Sequence, residues 1–265
     1  MIDSPEYLAK RAFFDSLITL YGRNVAVEIL RDENVKIHKL HLSKSNRTDE
    51  TMEEIMALAE RRGVEIKYHT KDALSRISKN SAQDQGVALD VEAQNYRDAQ
   101  SISSDFPNGF RLLALDGINN PQNLGMIVRS AAASSIDGII LPKKNSTKLS
   151  PLVMKASAGT LFKIPIYYCD TLSDVLPLVN SSVITLSSHA HDDIYTLKIP
   201  NRAIFVLGNE SEGVSREIEA LSTISVSIPM HRGVESLNVA ITAGIVSFLP
   251  WNFIEPISRW RTYAA

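Results

Sequence analysis

The stretch IPMHRGVESLN, residues 228–238, runs directly into an apolar segment at 239–251. Alternating apolar residues before Pro229 predict a strand that the proline ends. A helix is expected to begin near Leu237, where the Ser236 hydroxyl can cap its first backbone N–H groups. A loop at a helix N-terminus exposes unpaired N–H donors and positive potential, so the pattern predicts a place for a polar or anionic ligand. Most loops of this kind only turn the chain.

Outward from this stretch, residues 109–265 form a series of apolar runs separated by helical patterns. Strands are expected at 111–116, 138–141, 164–168, 183–187, 203–208 and 224–228. Several are continuously apolar, as in AIFVL at 203–207, which is typical of strands buried on both faces of a mostly parallel sheet. Because ligands of such sheets bind beyond the carboxyl ends of the strands, we expect a site formed by the loops at 119–129, 208–213 and 229–238.

The first part of the chain predicts a separate, smaller domain. Helices are expected at 24–31, 49–62 and 71–77, and strands at 37–42, 64–68 and 86–91. Residues 93–108 turn polar and lack a core pattern, so we interpret them as a linker. The predicted fold class is therefore α/β, with a small α/β domain at 1–92 and a larger domain with a mostly parallel sheet at 109–265.

Composition excludes several classes of function. The chain has 265 residues, of which 44% are hydrophobic and 22% charged, and its net charge of -2 requires any nucleic-acid surface to be a local patch. Cys169 is the only cysteine, which excludes an intrachain disulfide and a cysteine-cluster metal site. The longest apolar run, 239–251, is too short to span a bilayer, so we expect no membrane association. We expect a cytoplasmic location.

Two of the expected loops allow ordinary structural explanations. Asn123 and Arg129 can face the same end of the first loop if a helix begins near Gln122, although a capped helix with a surface arginine is the commoner arrangement. The loop GNESEG at 208–213 has the glycine spacing of a P-loop. Val214 and Ser215 follow it where a P-loop has Lys and then Ser/Thr, so the loop lacks the phosphate-binding lysine. Its carboxylates could bind a cation or transfer protons, whereas a solvated turn is more frequent.

Two further segments carry groups that bind ligands in other proteins. We interpret HAHDD at 189–193 as an exposed connection, because no further metal ligands cluster nearby, and no metal is expected. Four lysines follow a strand end on the ligand side of the sheet: Lys143, Lys144, Lys148 and Lys155. They are typical of a solvated face, and their position would also suit contact with a phosphate backbone.

The order and spacing of the three loops together resemble the signature motifs of SpoU-type, or TrmH-like, RNA ribose 2′-O-methyltransferases. The matching segments are NLG at 123–125 with Arg129 and Ala131, LGNESEG at 207–213, and IPM at 228–230 through SLNV at 236–239. This resemblance covers about 112–249. The first domain resembles the RNA-binding domain that precedes the catalytic domain in many members, with YG at 21–22 and QGV at 85–87 as the matching points.

The resemblance implies a deep trefoil knot in the C-terminal domain, S-adenosylmethionine bound there in a bent conformation, and a homodimer with active sites near its interface. Four matched positions would lie against the cofactor: Gly208, Ile228, Met230 and Leu237. Five would form the reacting end: Asn123, Arg129, Glu210, Ser236 and Asn238. The implied reaction is methylation of a ribose 2′-hydroxyl of ribosomal RNA, with transfer RNA as the alternative substrate and a non-catalytic RNA-binding protein as the rival. DNA is not an expected partner.

These residue types suit the implied chemistry. A neutral ribose hydroxyl is a poor nucleophile, so an enzyme must position it and assist the loss of its proton. A guanidinium is effectively always charged, so we expect Arg129 to hold the target phosphate while a phosphate oxygen or Glu210 receives the proton. Two positions depart from the family pattern: Arg232 stands where glycine is frequent, and Asp84 stands where histidine is common.

Overall fold

A four-stranded sheet organises the first part of the chain in the computed structural model, which describes residues 17–92 and 96–250. Its strands are β1 (Leu17–Tyr21), β2 (Ile37–Ser43), β3 (Ile66–His69) and β4 (Val87–Glu92), in the order β1-β4-β2-β3. β4 runs antiparallel to β1 and β2, while β2 and β3 are parallel. The three strands expected here are confirmed to within about two residues, and β1 was not predicted.

Three helices cover this sheet: α1 (Arg23–Arg31), α2 (Glu50–Arg61) and α3 (Lys71–Ser78). Side-chain caps explain where two of them begin, because Asp49 accepts from Met52 N at 3.0 Å and Thr70 accepts from Ala73 N at 3.3 Å. The unusual Asp84 is buried, and its carboxylate accepts from Ser78 Oγ at 2.9 Å and from Gly86 N at 3.0 Å. Asp84 therefore supports the turn into β4.

The remaining strands form one eight-stranded sheet. They are β5 (Tyr96–Asp98), β6 (Phe110–Leu115), β7 (Gly138–Pro142), β8 (Ile166–Cys169), β9 (Ser182–Leu186), β10 (Asp192–Asp193), β11 (Arg202–Leu207) and β12 (Ile224–Ser227). Their order is β10-β12-β9-β11-β6-β7-β8-β5, and every pairing is parallel. The predicted mostly parallel sheet is confirmed, and its central strands β6 and β11 are buried along nearly their whole length.

Six α-helices of the described chain accompany this sheet: α4 (Ile102–Asp105), α5 (Pro121–Ala132), α6 (Pro151–Ala156), α7 (Leu172–Val175), α8 (Arg216–Glu219) and α9 (Val239–Ser247). α5 packs against both α6 and α9. Gly125 makes the first of these contacts possible, because a Cβ atom there would lie 2.7 Å from the carbonyl oxygen of Val153 on α6. No helix in the described ranges is long and apolar enough to cross a bilayer.

The segment interpreted as a linker is more regular than expected in its described part. β5 adds to the edge of the sheet beside β8, and α4 follows it. The Tyr96 ring packs edge-on against Tyr168, and Arg97 forms an ion pair with Asp105 at 2.9 Å. A three-residue edge strand depends on such distant partners and leaves almost no periodic signal. Residues 93–95 lie outside the described residues, and the domain boundaries stay a prediction.

The start of the last helix differs from the expectation. α9 begins at Val239, and its N-cap is Asn238, whose Oδ1 accepts from Ala240 N at 2.9 Å. The prediction that Ser236 caps a helix from Leu237 is therefore wrong, because both residue types can cap and the path of the loop decides which one reaches the helix. The end of the apolar run, residue 251, lies outside the described residues. The knot and the homodimer stay predictions.

Candidate active site

A cleft of about 860 Å³ opens at the carboxyl edge of the parallel sheet. Its walls come mainly from the ends of β9, β11 and β12 and the segments after them, at 186–189, 207–214, 227–230 and 234–237. Its position and volume are those of a typical ligand site in an open α/β sheet. Six predicted site residues line it: Gly208, Glu210, Ile228, Met230, Ser236 and Leu237. The structure thus brings the second and third motifs to one cavity.

The charged groups of the cleft are almost all acidic. Four of its lining residues are carboxylic acids: Glu210, Glu212, Glu219 and Glu235. No Lys or Arg lines it in the described part of the chain, and His189 is its one basic side chain there. Of the polar or anionic ligands anticipated for the loop before α9, an anion does not suit this lining, because the carboxylates repel negative charge and Asn238 already occupies the Ala240 N–H. The cleft suits a neutral or cationic ligand.

The loop after β11 is a closed turn. The Asn209 N–H donates to the Gly213 carbonyl at 2.9 Å, and the Gly213 N–H donates back to the Asn209 carbonyl at 2.8 Å. A Cβ atom on Gly208 would fall on the backbone of Gly213 and Val214, so only glycine fits there. Asn209 Nδ2 also donates to the Gly117 carbonyl at 2.8 Å, which joins this loop to the one after β6.

Three predicted residues from three different motifs meet at Glu210. Asn123 Nδ2 donates to Glu210 Oε1 at 2.6 Å, and Asn238 Nδ2 donates to the same oxygen at 2.6 Å. Asn238 Nδ2 also lies 3.3 Å from Asn123 Oδ1. Asn123 is only 5% exposed, whereas Glu210 is exposed and its Oε2 accepts no hydrogen bond from any described residue. One carboxylate oxygen is held by amides and the other is available.

Arg129 stands apart from this cluster. Six helical positions separate it from Asn123, which corresponds to about 9 Å along the axis and about 120° around it. Its guanidinium is exposed and forms no hydrogen bond or ion pair within 17–92 and 96–250. Asn123 is buried and hydrogen-bonded to Glu210, whereas Arg129 is exposed. That both face the same end of the loop stays a prediction.

Ser236 and Arg232 occupy exposed positions in the loop before α9. Ser236 lines the cleft, and its hydroxyl makes no hydrogen bond with a described residue. Arg232 does not line the cleft, and its φ of 59° lies in the left-handed region. That conformation costs a residue with a Cβ atom about 1 kcal/mol, which explains why glycine suits this position.

Sequence reasoning missed one wall of the cleft. Four residues at the end of β9 and just beyond it belong to this wall: Leu186, Ser187, Ser188 and His189. The available signal was the carboxyl end of a parallel strand, which places its loop on the same edge as the other two. The rest of the segment interpreted as an exposed connection contains β10, which pairs with β12. The described residues contain no group of three His, Cys, Asp or Glu side chains that could hold a metal ion.

Two family models match the chain. Residues 110–248 match the SpoU rRNA Methylase family, and residues 19–97 match a family described as RNA 2′-O ribose methyltransferase substrate binding. An uncharacterized tRNA/rRNA methyltransferase of Mycobacterium leprae is 32% identical over 249 residues, covering 92% of this chain and 79% of its own. Its counterpart in Mycobacterium tuberculosis is 32% identical over 248 residues, covering 91% and 76%.

Solved structures share the fold. An AdoMet-bound rRNA methyltransferase of Sinorhizobium meliloti superposes with a TM-score of 0.67 at 24% identity, covering 89% of this chain and 87% of its own. The SpoU methyltransferase AviRb of Streptomyces viridochromogenes, in complex with AdoMet, superposes with a TM-score of 0.66 at 19% identity, covering 92% of this chain and 96% of its own. The resemblance predicted from the three loops is confirmed: the chain belongs to the SpoU rRNA methylase family.

Proposed function

We propose that the protein transfers a methyl group from S-adenosylmethionine to a ribose 2′-hydroxyl of RNA, and that ribosomal RNA is the substrate. The observation that carries the proposal is the meeting of Asn123, Glu210 and Asn238 beside the cleft. Membership of an rRNA methylase family and the substrate-binding match in the first domain support RNA as the acceptor. Two relatives of known structure were solved with AdoMet.

The residues of the cleft fit this cofactor. S-adenosylmethionine carries a sulfonium and an ammonium against one carboxylate, so its net positive charge suits an acidic lining. Apolar side chains such as Leu207, Ile228 and Leu237 offer surfaces for its adenosine part. Because Gly208 has no side chain, the closed turn can pack at the wall of the cleft without a clash with Gly213 and Val214. When bound, the cofactor supplies an electrophilic methyl group on a positively charged sulfur.

Glu210 is the proposed proton acceptor. Its Oε1 is held by the amides of Asn123 and Asn238, so Oε2 is the oxygen that can accept a hydrogen bond from the ribose hydroxyl. Oε2 would take the hydroxyl proton as the ribose oxygen accepts the methyl group that the bound cofactor would supply. Asn123 and Asn238 act as positioning residues. Ser236 also lines the cleft, and its exposed hydroxyl makes no hydrogen bond with a described residue, so we assign it to binding of the substrate ribose or the cofactor.

Arg129 is the proposed phosphate-binding residue. Its guanidinium is exposed and makes no ion pair with a described residue, so no carboxylate of the described chain neutralises it. A planar guanidinium can bind a phosphate with two parallel hydrogen bonds and so fix the nucleotide next to Glu210. Its separation from the Asn123 cluster agrees with a role on the RNA backbone rather than in proton transfer.

A homodimer is part of the proposal. Ile241, Ile245 and Phe248 repeat at i, i+4 and i+7 along one face of α9, and Ile241 and Phe248 are 55% and 60% exposed. The neighbouring α5 exposes Met126 on the same side as Arg129, three residues further on. An exposed apolar stripe marks an interaction surface, and a second copy would bring Arg129 close to the interface. The knot and the domain division at 92 and 109 belong to the same proposal.

The test uses RNA from cells that lack the protein. Purified ribosomal and transfer RNA are each incubated with the protein and methyl-labelled cofactor, and labelled sites are mapped by resistance to alkaline hydrolysis. A 2′-O-methyl group blocks that cleavage because the 2′-oxygen is its nucleophile. Label in ribosomal RNA at an alkali-resistant linkage is the expected result. Label in transfer RNA alone would show that transfer RNA, not ribosomal RNA, is the substrate. Cofactor binding without methyl transfer would favour a non-catalytic RNA-binding protein.

A further inference from the structure

The cations of the second domain are concentrated in one stretch of sequence. Between Asp137 and Asp170 there are five lysines and no Asp or Glu, in a chain whose net charge is -2. Lys143 is paired with Asp170 at 3.0 Å, and Lys163 precedes β8 at the opposite edge of the sheet. Three exposed lysines remain that form no ion pair with a described residue: Lys144, Lys148 and Lys155. We call these three the basic ridge.

The basic ridge lies beside the reacting end of the cleft. Lys144 and Lys148 belong to the loop after β7, and the Thr147 N–H in that loop donates to the Ile118 carbonyl at 3.0 Å. Ile118 belongs to the loop that leads into α5 and Asn123. Lys155 lies on α6, which packs closely against α5 at Gly125, two residues after Asn123. The ridge therefore adjoins the loop and the helix that carry Asn123 and Arg129.

The same segment contacts the first domain. α6 touches α1 and β1, and a Cβ atom on Gly159 would lie 3.4 Å from Glu28 Oε2 on α1. The basic ridge therefore adjoins both the part of the second domain that contacts the first domain and the loop that leads into α5 and Asn123. We expect an RNA that reaches from the first domain to Glu210 to pass over this segment.

We propose that the basic ridge binds the phosphate backbone of the substrate RNA between the first domain and the reacting ribose. The inference rests on the proposed function for the identity of the polyanion. Charge supports it, because the cleft itself is acidic and repels phosphate, while the unpaired lysines outside it attract phosphate. Lysine ammonium groups on flexible stems make sequence-independent phosphate contacts, so the ridge contributes affinity and orientation rather than base recognition.

A matched pair of double variants tests the ridge. Lys144→Gln/Lys148→Gln removes two ridge charges, and Lys163→Gln/Lys198→Gln removes two exposed charges from the opposite edge of the sheet. Binding of a labelled single-stranded RNA of about 20 nucleotides is measured by fluorescence anisotropy between about 50 and 200 mM KCl. The ridge variant is expected to lower the slope of log affinity against log salt by about 1.4, at about 0.7 for each phosphate that a lysine no longer neutralises. The control is expected to keep the wild-type slope.

Equal slopes for all three proteins, or an equal reduction in both variants, would overturn the inference. Thermal unfolding of each variant checks that the fold is retained. We expect it to be retained, because all four lysines are exposed. Binding is measured without methyl transfer, so the two proposals fail separately. If the wild-type protein methylates RNA but the ridge variant keeps the wild-type slope, the proposed function stands and the proposed role of the ridge is refuted.

Discussion

The side-chain amide of Asn238 donates to Glu210 Oε1 at 2.6 Å, which joins two loops whose residues are 28 positions apart. The other end of the same side chain caps α9 through Ala240 N at 2.9 Å. The amide therefore cannot turn over without losing the cap, and the start of α9 sets the orientation of the carboxylate. Asn123 donates to the same oxygen from α5. The position of Glu210 thus depends on two helices at once.

Asn238→Asp is expected to lower methyl transfer by about 100-fold, or about 2.7 kcal/mol in the barrier. The new carboxylate still caps α9 but repels Glu210 and no longer donates to it. Single-turnover transfer measures the loss. Asn120→Asp is the control, because Asn120 caps α5 in the same way, through Gln122 N at 2.9 Å, and is exposed. Equal rates in the two variants would refute the positioning role of Asn238.

Glu210→Gln keeps an acceptor for both asparagines and removes the proposed proton acceptor. Methyl transfer is expected to fall by about 10²- to 10⁴-fold, the usual contribution of a general base, while cofactor affinity stays within about threefold. Calorimetric titration of the cofactor and a single-turnover assay separate the two quantities. Glu217→Gln, an exposed carboxylate outside the cleft, serves as control. Full activity of Glu210→Gln would refute Glu210 as the proton acceptor and favour a phosphate oxygen in that role.

Arg129→Ala is expected to abolish methyl transfer with near-normal cofactor binding, because Arg129 does not line the cleft and its proposed ligand is an RNA phosphate. Arg129→Lys keeps the charge without the planar pair of donors and should restore only part of the rate. Arg216→Ala removes an exposed arginine from α8 and is the matched control. Normal turnover in Arg129→Ala would contradict the assignment.

Gly208→Ala is expected to weaken cofactor binding by more than about tenfold and to destabilise the fold by about 1–3 kcal/mol. The added Cβ meets the backbone of Gly213 and Val214, which cannot move aside as a flexible side chain would. Gly63→Ala is the comparison, since nothing lies within 4 Å of its Cβ and only its φ of +62° opposes the substitution. Cofactor titration and thermal unfolding measure the two effects. Wild-type affinity and stability in Gly208→Ala would contradict the prediction.

Ile241→Lys is expected to convert a dimer into a monomer, because it places a charge in the exposed apolar stripe of α9. Sedimentation velocity gives the oligomeric state directly. Leu178→Lys makes the same change at a leucine that is 69% exposed and far from α9 in sequence, and it should leave the sedimentation coefficient unchanged. A wild-type monomer, or a dimer that survives Ile241→Lys, would place the interface elsewhere.

The buried strands were predictable because their signal is local. Segments such as 203–207 and 112–115 are runs of apolar residues that only a doubly covered sheet can bury. The edge strands Tyr96–Asp98 and Asp192–Asp193 were missed, because two or three polar or aromatic residues become strands only when a neighbour supplies the hydrogen bonds. The wall of the cleft at 186–189 was missed for a different reason, since its site character depends only on which edge the strand reaches.

By itself, the sequence determined the α/β class, the parallel sheet, the family and the nine residues proposed for the site, because residue type and spacing record these properties directly. Only the tertiary structure decided that Asn123 and Asn238 hold one oxygen of Glu210, that Arg129 faces solvent, and that Asn238 caps α9. These depend on distances between loops far apart in the chain. The stretch 228–238 offers several possible caps, and the hydrogen bond that Asn238 makes across to Glu210 exists only after β11 and β12 have come to share one edge of the sheet.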